Sequence, residues 1–470
     1  MKNGRGRPEP LKRLSEWGMP VILDITGIGA EIQGVGRTQD GQVVFVPFAL
    51  PGERIEAEIT RDAGRFMEGR VVKIIEPAPQ RVVPVCPLYG QCGGCRTQHM
   101  TYQRSLELKR RVVEQQLERI GGLEKPNVLP TIGAEKPWRY RNKAEFFVAT
   151  DPATHTPTVG MRALDGKTVL PLGDCMIQSD IAIQAVKTVT RWMQIYCIPA
   201  WDDNLAGEGG VRYVVTRVNH VGELMLVICT TGRNLKRLNQ LYEMLNTEFP
   251  DKFRSLNHIV LEKRPTHALD GRCQVVQGRR VLYDQLMGLS FEMSPKTFFQ
   301  VNHAQTEVLY GCVRQAAALT GGELVIDAYC GCGTISLVLA REARRVVGVE
   351  ILEAAVDNAR LNAKRNRLED KTEFHAGDAG KLVSAMLEKG ERPDVLVVDP
   401  PRKGVDAGLI DAIIAARVPR LVYVSCNPGT LARDVKRLVQ EGGYKLEYAQ
   451  PVDMFAQTEH VETVCLLTHA

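Results

Sequence analysis

Cysteines occur in two settings that suit chemistry. In the first, Cys426 stands in Val424-Ser425-Cys426-Asn427-Pro428, where a β-branched run ends and a helical pattern begins, with Thr430 placed to cap that helix. A carboxyl strand end beside a helix start is where open α/β sheets bind ligands, and the helix dipole there favours a thiolate below the reference pKa of about 8.5. In the second, Cys86-x5-Cys92-x2-Cys95 lies among Gly90, Gly93 and Gly94, and Cys175 returns in Gly173-Asp174-Cys175. Four thiolates from a glycine-rich loop and one distant strand suit tetrahedral zinc or an iron–sulfur cluster, and spacing does not choose between them. Twelve cysteines in 470 residues are too dilute for a disulfide scaffold.

A cofactor pocket is predicted upstream of Cys426. Leu324 to Ile326 is a buried strand running through Asp327-Ala328-Tyr329-Cys330-Gly331-Cys332-Gly333 into a helix over 335–340, with Ser336 where a dinucleotide fingerprint would carry its third glycine. A second strand ends at Glu350, 23 residues beyond Asp327, where an acid can accept hydrogen bonds from both ribose hydroxyls of a nucleoside cofactor. Asp378 is spaced to follow a third strand, near an adenine. Acids at three successive strand ends fit S-adenosylmethionine or NAD alike. The fourth strand separates them: it ends Asp399-Pro400-Pro401-Arg402, a rigid turn of the kind carried by methyltransferases that act on planar nitrogenous rings.

A cysteine beside such a turn has a use if the ring is a uracil. Carbon 5 of uracil is too weak a nucleophile to take a methyl group directly. Thiolate addition to carbon 6 makes the ring an enolate, carbon 5 attacks the sulfonium methyl, and a base removes the carbon 5 proton so that the thiol leaves. Glu462, in His460-Val461-Glu462-Thr463-Val464, is a candidate base.

These residues need elements to hold them. Residues 1–20 form a basic, flexible tail rich in Gly, Pro and Arg. Over residues 21–80, short apolar runs (Val21 to Ile25, Val43 to Phe48, Ile55 to Ile59, Val71 to Ile75) broken by Gly27, Gly29, Gly34, Gly36, Gly41 and Gly52 read as a small OB-like β-barrel. Residues 81–290 read as a mixed α/β central domain, with an amphipathic helix over 101–120 and strands at Ala144 to Ala149, Val211 to Asn219 and Glu223 to Thr230. Over residues 291–470 strand, turn and helix alternate, which argues a Rossmann-like parallel sheet covered on both faces.

The 44% hydrophobic and 24% charged content exclude a disordered or fibrous chain. No stretch approaches the roughly 18 apolar residues of a spanning helix, and no apolar signal core follows the start, so a cytoplasmic protein with no membrane partner is expected. The net charge of +5 is a weak argument for nucleic acid, but residues 81–143 carry twelve basic residues against five acids, whereas 21–80 sum to −3. Some of that belt reads as a solvated helix face around Lys109, Arg110 and Arg111. The remainder is expected to contact phosphates, with Trp138-Arg139-Tyr140-Arg141-Asn142-Lys143 interleaving stacking and charge.

Phe298-Phe299-Gln300-Val301-Asn302, Asp327-x-Tyr329-Cys330-Gly331-x-Gly333, Asp399-Pro400-Pro401-Arg402, Ser425-Cys426-Asn427-Pro428 and His460-Val461-Glu462-Thr463-Val464 stand in the order and spacing of the RNA uracil-5-methyltransferase family. The resemblance implies Cys426 as nucleophile, Glu462 as the base at carbon 5, and Gln300, Tyr329, Glu350, Asp399 and, more weakly, Asp378 around S-adenosylmethionine. The cysteine pattern resembles the ribosomal-RNA branch, which implies a [4Fe–4S] cluster on Cys86, Cys92, Cys95 and Cys175. The barrel resembles a TRAM domain, an RNA-binding module of the same branch, with Arg37, Arg65 and Arg70 as its RNA contacts. Transfer-RNA uracil methyltransferases are expected to lack both barrel and cluster. The implied partner is therefore RNA, 23S ribosomal RNA above others, and not DNA; the target base must be splayed out of its helix.

Several rivals remain. A cytosine-5 RNA methyltransferase places its cysteine in the fourth-strand turn, where this chain has Asp399. An exocyclic-amine methyltransferase has no use for Cys426. A radical methylthiotransferase needs C-x3-C-x2-C. A transfer-RNA uracil-5 methyltransferase and a non-catalytic ribosome-assembly factor complete the set, the latter disfavoured by an intact Cys426, Glu462, Gln300 and Asp399.

Overall fold

The computed structural model describes residues 20–201, 210–233, 235–262 and 265–469, so the tail expected over 1–20 lies, but for its last residue, outside the described residues. The chain forms two compact units. The first runs to Pro84 and includes Arg96–Arg104; the second takes in Val85–Cys95 and everything from Ser105.

The first unit is built on five strands: β1 (Pro20–Ile28), β2 (Gly34–Arg37), β3 (Val43–Val46), β4 (Arg54–Asp62) and β5 (Met67–Glu76). They close in the order β1-β2-β3-β5-β4, which leaves no free edge. Alternate residues point inward, so Leu23, Ile25, Val44, Val46, Ile55 and Ala57 fill the interior. Strand β2 is the element the sequence hides, because Gly34 and Gly36 read as breaks. Both are paired strand residues opposite Ile28 and Ile25. A Cβ at Gly34 would lie 2.8 Å from the Ala49 carbonyl oxygen, so the barrel wall admits only glycine there.

In the second unit, α1 (Tyr102–Arg119, begun in the first unit) is followed by β6 (Lys143–Thr150), β7 (Pro157–Arg162), β8 (Val169–Pro171), α2 (Asp180–Ile195), β9 (Val211–Val218), β10 (Leu224–Thr230), α3 (Leu238–Glu248), β11 (Phe253–Leu261) and β12 (Gly271–Gly278). Their sheet has the order β12-β11-β10-β9-β6-β7-β8. All its pairs are antiparallel except β10 with β11, the pair joined through α3. A hairpin, β13 (Leu282–Leu286) and β14 (Leu289–Met293), and helix α4 (His303–Ala317) lead onward.

The last sheet comprises β15 (Leu324–Ala328), β16 (Arg345–Glu350), β17 (Thr372–Ala376), β18 (Val395–Val398), β19 (Arg420–Ser425), β20 (Lys445–Val452) and β21 (Glu462–Thr468). Between them run α5 (Thr334–Ala340), α6 (Glu353–Arg365), α7 (Ala379–Glu388), α8 (Ala407–Ala416) and α9 (Pro428–Gln440). The order is β17-β16-β15-β18-β19-β21-β20, with β21 antiparallel to both neighbours. One face packs on α4 to α6 and the hairpin through Leu309, Val313, Leu337, Val356 and Leu286. The other packs on α1 and α7 to α9 through Val113, Leu117, Val383, Ile413 and Val435. Since β15 has β16 on one side and β18 on the other, the order in which strands are added reverses there and opens a crevice at the carboxyl strand ends.

Candidate active site

The crevice holds one group of candidate residues from β15 and β16. After β15 the chain turns through positive φ at Tyr329 (67°), Gly331 (55°) and Gly333 (83°) to start α5. The Glu350 carboxylate closes this turn, accepting the N–H groups of Gly331 at 3.2 Å and Leu352 at 3.0 Å. Asp327 is fully buried, and burial pushes its carboxyl up to about 7 despite a hydrogen bond from Ser336 at 2.5 Å. That bond explains the serine in the third glycine position. The Tyr329 hydroxyl donates to Asp406 at 3.2 Å. Asp378 is exposed and caps α7 by accepting the Lys381 N–H at 2.9 Å, a structural duty its spacing did not show. Phe298, Ile351 and Leu352, beside these turns, are 73%, 73% and 65% exposed, an unusual amount of open apolar surface at one sheet edge.

The second group lies across β18, β19 and β21. Ser425 of β19 pairs with Thr463 of β21, and the next residues out on the two chains are Cys426 and Glu462. Strand register therefore puts thiol and carboxylate at the same edge. Glu462 is buried and its Oε2 accepts no hydrogen bond. Burial pushes its carboxyl up, with Asp399 adding to the rise and Arg402 opposing it. Asp399 is likewise raised by burial and by the charge of Asp327.

Two expectations are corrected here. Burial pushes the Cys426 thiol up to about 12, Glu462 and Asp399 add to the rise, and only Arg402 and a backbone hydrogen bond pull it down. The helix dipole falls off within one turn and is outweighed by desolvation and two acids. The cap of α9 is Asn427 instead of Thr430: its Oδ1 accepts from Gly429 at 3.0 Å and Thr430 at 3.4 Å. Pro428 at the first helical position is the signal that marks residue 427 as the cap. The Asn427 Nδ2 also donates to the Arg402 carbonyl at 3.1 Å, tying the Asp399-Pro-Pro turn to the cysteine turn.

The segment around Trp138 to Lys143 is a strut. The Asn142 N–H donates to the Val301 carbonyl at 2.8 Å and its Nδ2 to the Gln300 carbonyl at 3.0 Å, which fixes buried Gln300. The Tyr140 hydroxyl donates to the Ala456 carbonyl at 2.9 Å, on the loop leading to Glu462. Arg139 donates to the Cys175 carbonyl at 2.9 Å and pairs with Asp174 at 2.7 Å and Asp180 at 3.2 Å.

Part of the basic belt is likewise tied to structural partners. Lys109, expected on a solvated face, is fully buried, paired with buried Asp453 and donating to the Phe455 carbonyl at 3.1 Å. Arg110 donates to the Val128 carbonyl at 2.9 Å and Arg111 pairs with Glu114. Arg81 serves the buried Glu53 of the barrel unit. In that barrel Arg70 pairs with Glu58 and Arg37 donates to the Gly41 carbonyl, while Arg65 is exposed. Arg119, Lys125 and Lys136 remain exposed.

Cys86, Cys92, Cys95 and Cys175 are all half-buried, and none is in a disulfide. Cys175 lies within electrostatic range of Cys86 and Cys92, and Tyr140 within range of Cys95 and Cys175. Burial raises the Cys175 thiol, and the backbone N–H groups of Ile177 and Gln178 oppose that rise. Clustered thiols with amide donors fit a cysteine-ligated metal centre.

Residues 269–470 match the tRNA (Uracil-5-)-methyltransferase family and residues 21–72 a TRAM domain. The chain is 40% identical over 447 residues to an uncharacterized RNA methyltransferase of Halalkalibacterium halodurans, covering 95% of each. The chain belongs to the RNA uracil-5-methyltransferase family. A second RNA methyltransferase, from Clostridium tetani, is 36% identical over 462 residues and matches 98% of each chain. Membership of this methyltransferase family brings S-adenosylmethionine as methyl donor and RNA as substrate. Among solved structures, the tRNA (uracil-54, C5)-methyltransferase of Pyrococcus abyssi, in complex with S-adenosyl-L-homocysteine, superposes with a TM-score of 0.74 at 26% identity. It covers 96% of this methyltransferase and 100% of its own chain. A match so complete cannot omit the barrel, so the expectation that transfer-RNA enzymes lack it is corrected. Among the described residues no helix is long and apolar enough to cross a membrane.

Proposed function

We propose that the protein methylates carbon 5 of a uridine in 23S ribosomal RNA, in the cytoplasm, through a covalent bond from Cys426 to carbon 6 of the uracil. The observation that carries the chemistry is the pairing of β19 with β21, which sets Cys426 and Glu462 side by side at the edge that also bears Asp399. S-adenosylmethionine supplies an electrophilic sulfonium methyl, with Gln300, Tyr329, Glu350, Asp378 and Asp399 around it. Cys426 loses its proton as its sulfur bonds to carbon 6, and the ring's electron pair moves to an enolate whose carbon 5 takes the methyl. Glu462 then removes the carbon 5 proton, the carbon 6–sulfur bond breaks, and the double bond returns. The raised Cys426 thiol means that the nucleophile is protonated at rest, so an entering uracil must meet it together with a proton acceptor.

Cys86, Cys92, Cys95 and Cys175 hold a [4Fe–4S] cluster in this reading. Its part is structural: Arg139, Tyr140 and Asn142 connect its surroundings to the Glu462 loop and to Gln300, and methylation needs no redox step. A second reading, transfer RNA as substrate, is favoured by the likeness to the Pyrococcus abyssi enzyme over its whole length.

Nucleoside mass spectrometry with fragment mapping decides the target. Unmodified large-subunit ribosomal RNA and transfer RNA are each incubated with anaerobically purified protein and S-adenosylmethionine, with Cys426→Ala as control. 5-Methyluridine in the ribosomal RNA with wild type alone is expected. Its appearance only in transfer RNA selects the second reading, and its absence from both overturns the assignment of activity.

A further inference from the structure

Away from the catalytic crevice, three segments distant in sequence bring His220, Asp284 and His303 together. His220 lies in the turn between β9 and β10, Asp284 in the hairpin strand β13, and His303 at the first position of α4. One ligand atom from each lies within 4.8 Å of the others. The His220 Nδ1 is 2.5 Å from the Asp284 Oδ1, the His303 Nε2 is 3.9 Å from the same oxygen, and the two rings stack with centroids 5.6 Å apart.

The Gln285 N–H lies between the His220 Nδ1 at 3.3 Å and the nearer Asp284 Oδ1. A ring nitrogen 2.5 Å from a carboxylate oxygen shares either a proton or a metal ion with it. The Asp284 Oδ1 also accepts the backbone N–H groups of His220 at 2.9 Å and Gln285 at 3.0 Å. Its Oδ2 is buried and accepts none, in a side chain with no exposure at all. A buried carboxylate with one oxygen idle, set beside two imidazoles, has capacity left for a cation. The Gln285 carbonyl, 2.5 Å from the His303 Nε2, offers a fourth donor atom.

We propose that His220, Asp284 and His303, completed by the Gln285 carbonyl or a water, bind a structural divalent cation of the borderline first-row class, with zinc as its first representative. Two imidazoles and one carboxylate suit zinc, cobalt or nickel, whereas magnesium and calcium prefer all-oxygen shells. Ligands about 2.1 Å from a tetrahedral ion are about 3.4 Å apart, so the two distances to the Asp284 oxygen change by less than about 1 Å on binding. The ion would pin the β9–β10 turn, the hairpin and the start of α4, the helix preceded by Gln300 and capped by Asn302. This site is independent of the methylation chemistry and of the cysteine loop.

The test uses the full chain with its iron retained, dialysed against a mild chelator and titrated with zinc, then with cobalt. Wild type is expected to bind about one zinc per chain beyond its iron, with a rise in Tm, and cobalt should give ligand-field bands without the thiolate charge-transfer absorption of a cysteine site. His220→Ala, in an exposed turn, and His303→Gln should bind zinc at least about tenfold more weakly while keeping wild-type iron content and circular dichroism. Equal zinc uptake in wild type and both variants, thiolate bands with cobalt, or no uptake at all would each overturn the site and leave a shared proton between His220 and Asp284.

Discussion

The sheet edge at Asp399, Cys426 and Glu462 and the segment from Arg81 to Lys143 were both singled out by residue type, yet only at the first does spacing along the chain place the residues where the structure has them. At the edge, each candidate directly follows or begins a strand, and a parallel sheet brings all carboxyl ends to one side whatever the side chains do. Asp399, Cys426 and Glu462 meet through backbone topology alone. In the basic segment, meaning depends on partners that sequence distance hides. Lys109 and Asp453 are 344 residues apart, and their pairing turns a supposed surface lysine into a buried strut beneath the loop that delivers Glu462. Chemistry placed by topology is legible from spacing; charge is legible only once its counter-charge is known.

The comparison can be broken at either region. The largest effect belongs to the edge: Cys426→Ala should lower methylation by about 10³-fold or more with stability unchanged, read by methyl transfer to RNA. Glu462→Gln should slow turnover by about 10²- to 10⁴-fold and let the RNA–protein adduct accumulate, read as a denaturation-resistant complex on gels. If the adduct fails to accumulate while turnover falls, Glu462 acts before the methyl transfer and the assigned role is wrong.

In the other region the effects fall on stability. Lys109→Met removes the cation against which the Asp453 carboxylate is buried and should cost about 3 to 5 kcal/mol in denaturant unfolding. Arg111→Ala, whose partner Glu114 is one turn away in an exposed pair, should cost less than about 0.5 kcal/mol. Equal costs would show that the belt is the solvated face its composition suggests. The pH dependence of rate sharpens the edge further. Because Cys426 is raised, its reactive thiolate gains about tenfold per pH unit below its pKa, so kcat/KM should keep climbing past about pH 9, where an ordinary thiol levels off. A plateau near neutral pH would mean that substrate binding supplies the proton acceptor.

Most of the α/β rhythm was readable because β-branched runs ending in acids, glycines and prolines mark strand ends, as at Ile326, Val349 and Val398. What could not be read arises from three-dimensional neighbours. Gly34 of β2 is an inward strand residue where the Ala49 carbonyl leaves no room for a Cβ, and Gly36 is one where the Asp24 carbonyl would lie 3.0 Å from it. The Cys426 thiol is raised because two acids from other strands share its dry edge. Asp378 caps a helix that a spacing argument had used only to place an adenine. The His220, Asp284 and His303 cluster has no sequence signature, since each member comes from a different turn or element start.

The claim on which the account turns is that Cys426 bonds to the base. Incubation of the protein with S-adenosylmethionine and RNA carrying 5-fluorouridine, whose carbon 5 fluorine no base can remove as a proton, should trap the methylated intermediate. Peptide mass spectrometry is then expected to find the adduct on the peptide containing Cys426. An adduct on Cys330, Cys332 or another cysteine, or methyl transfer to normal RNA with no trappable adduct, would contradict it.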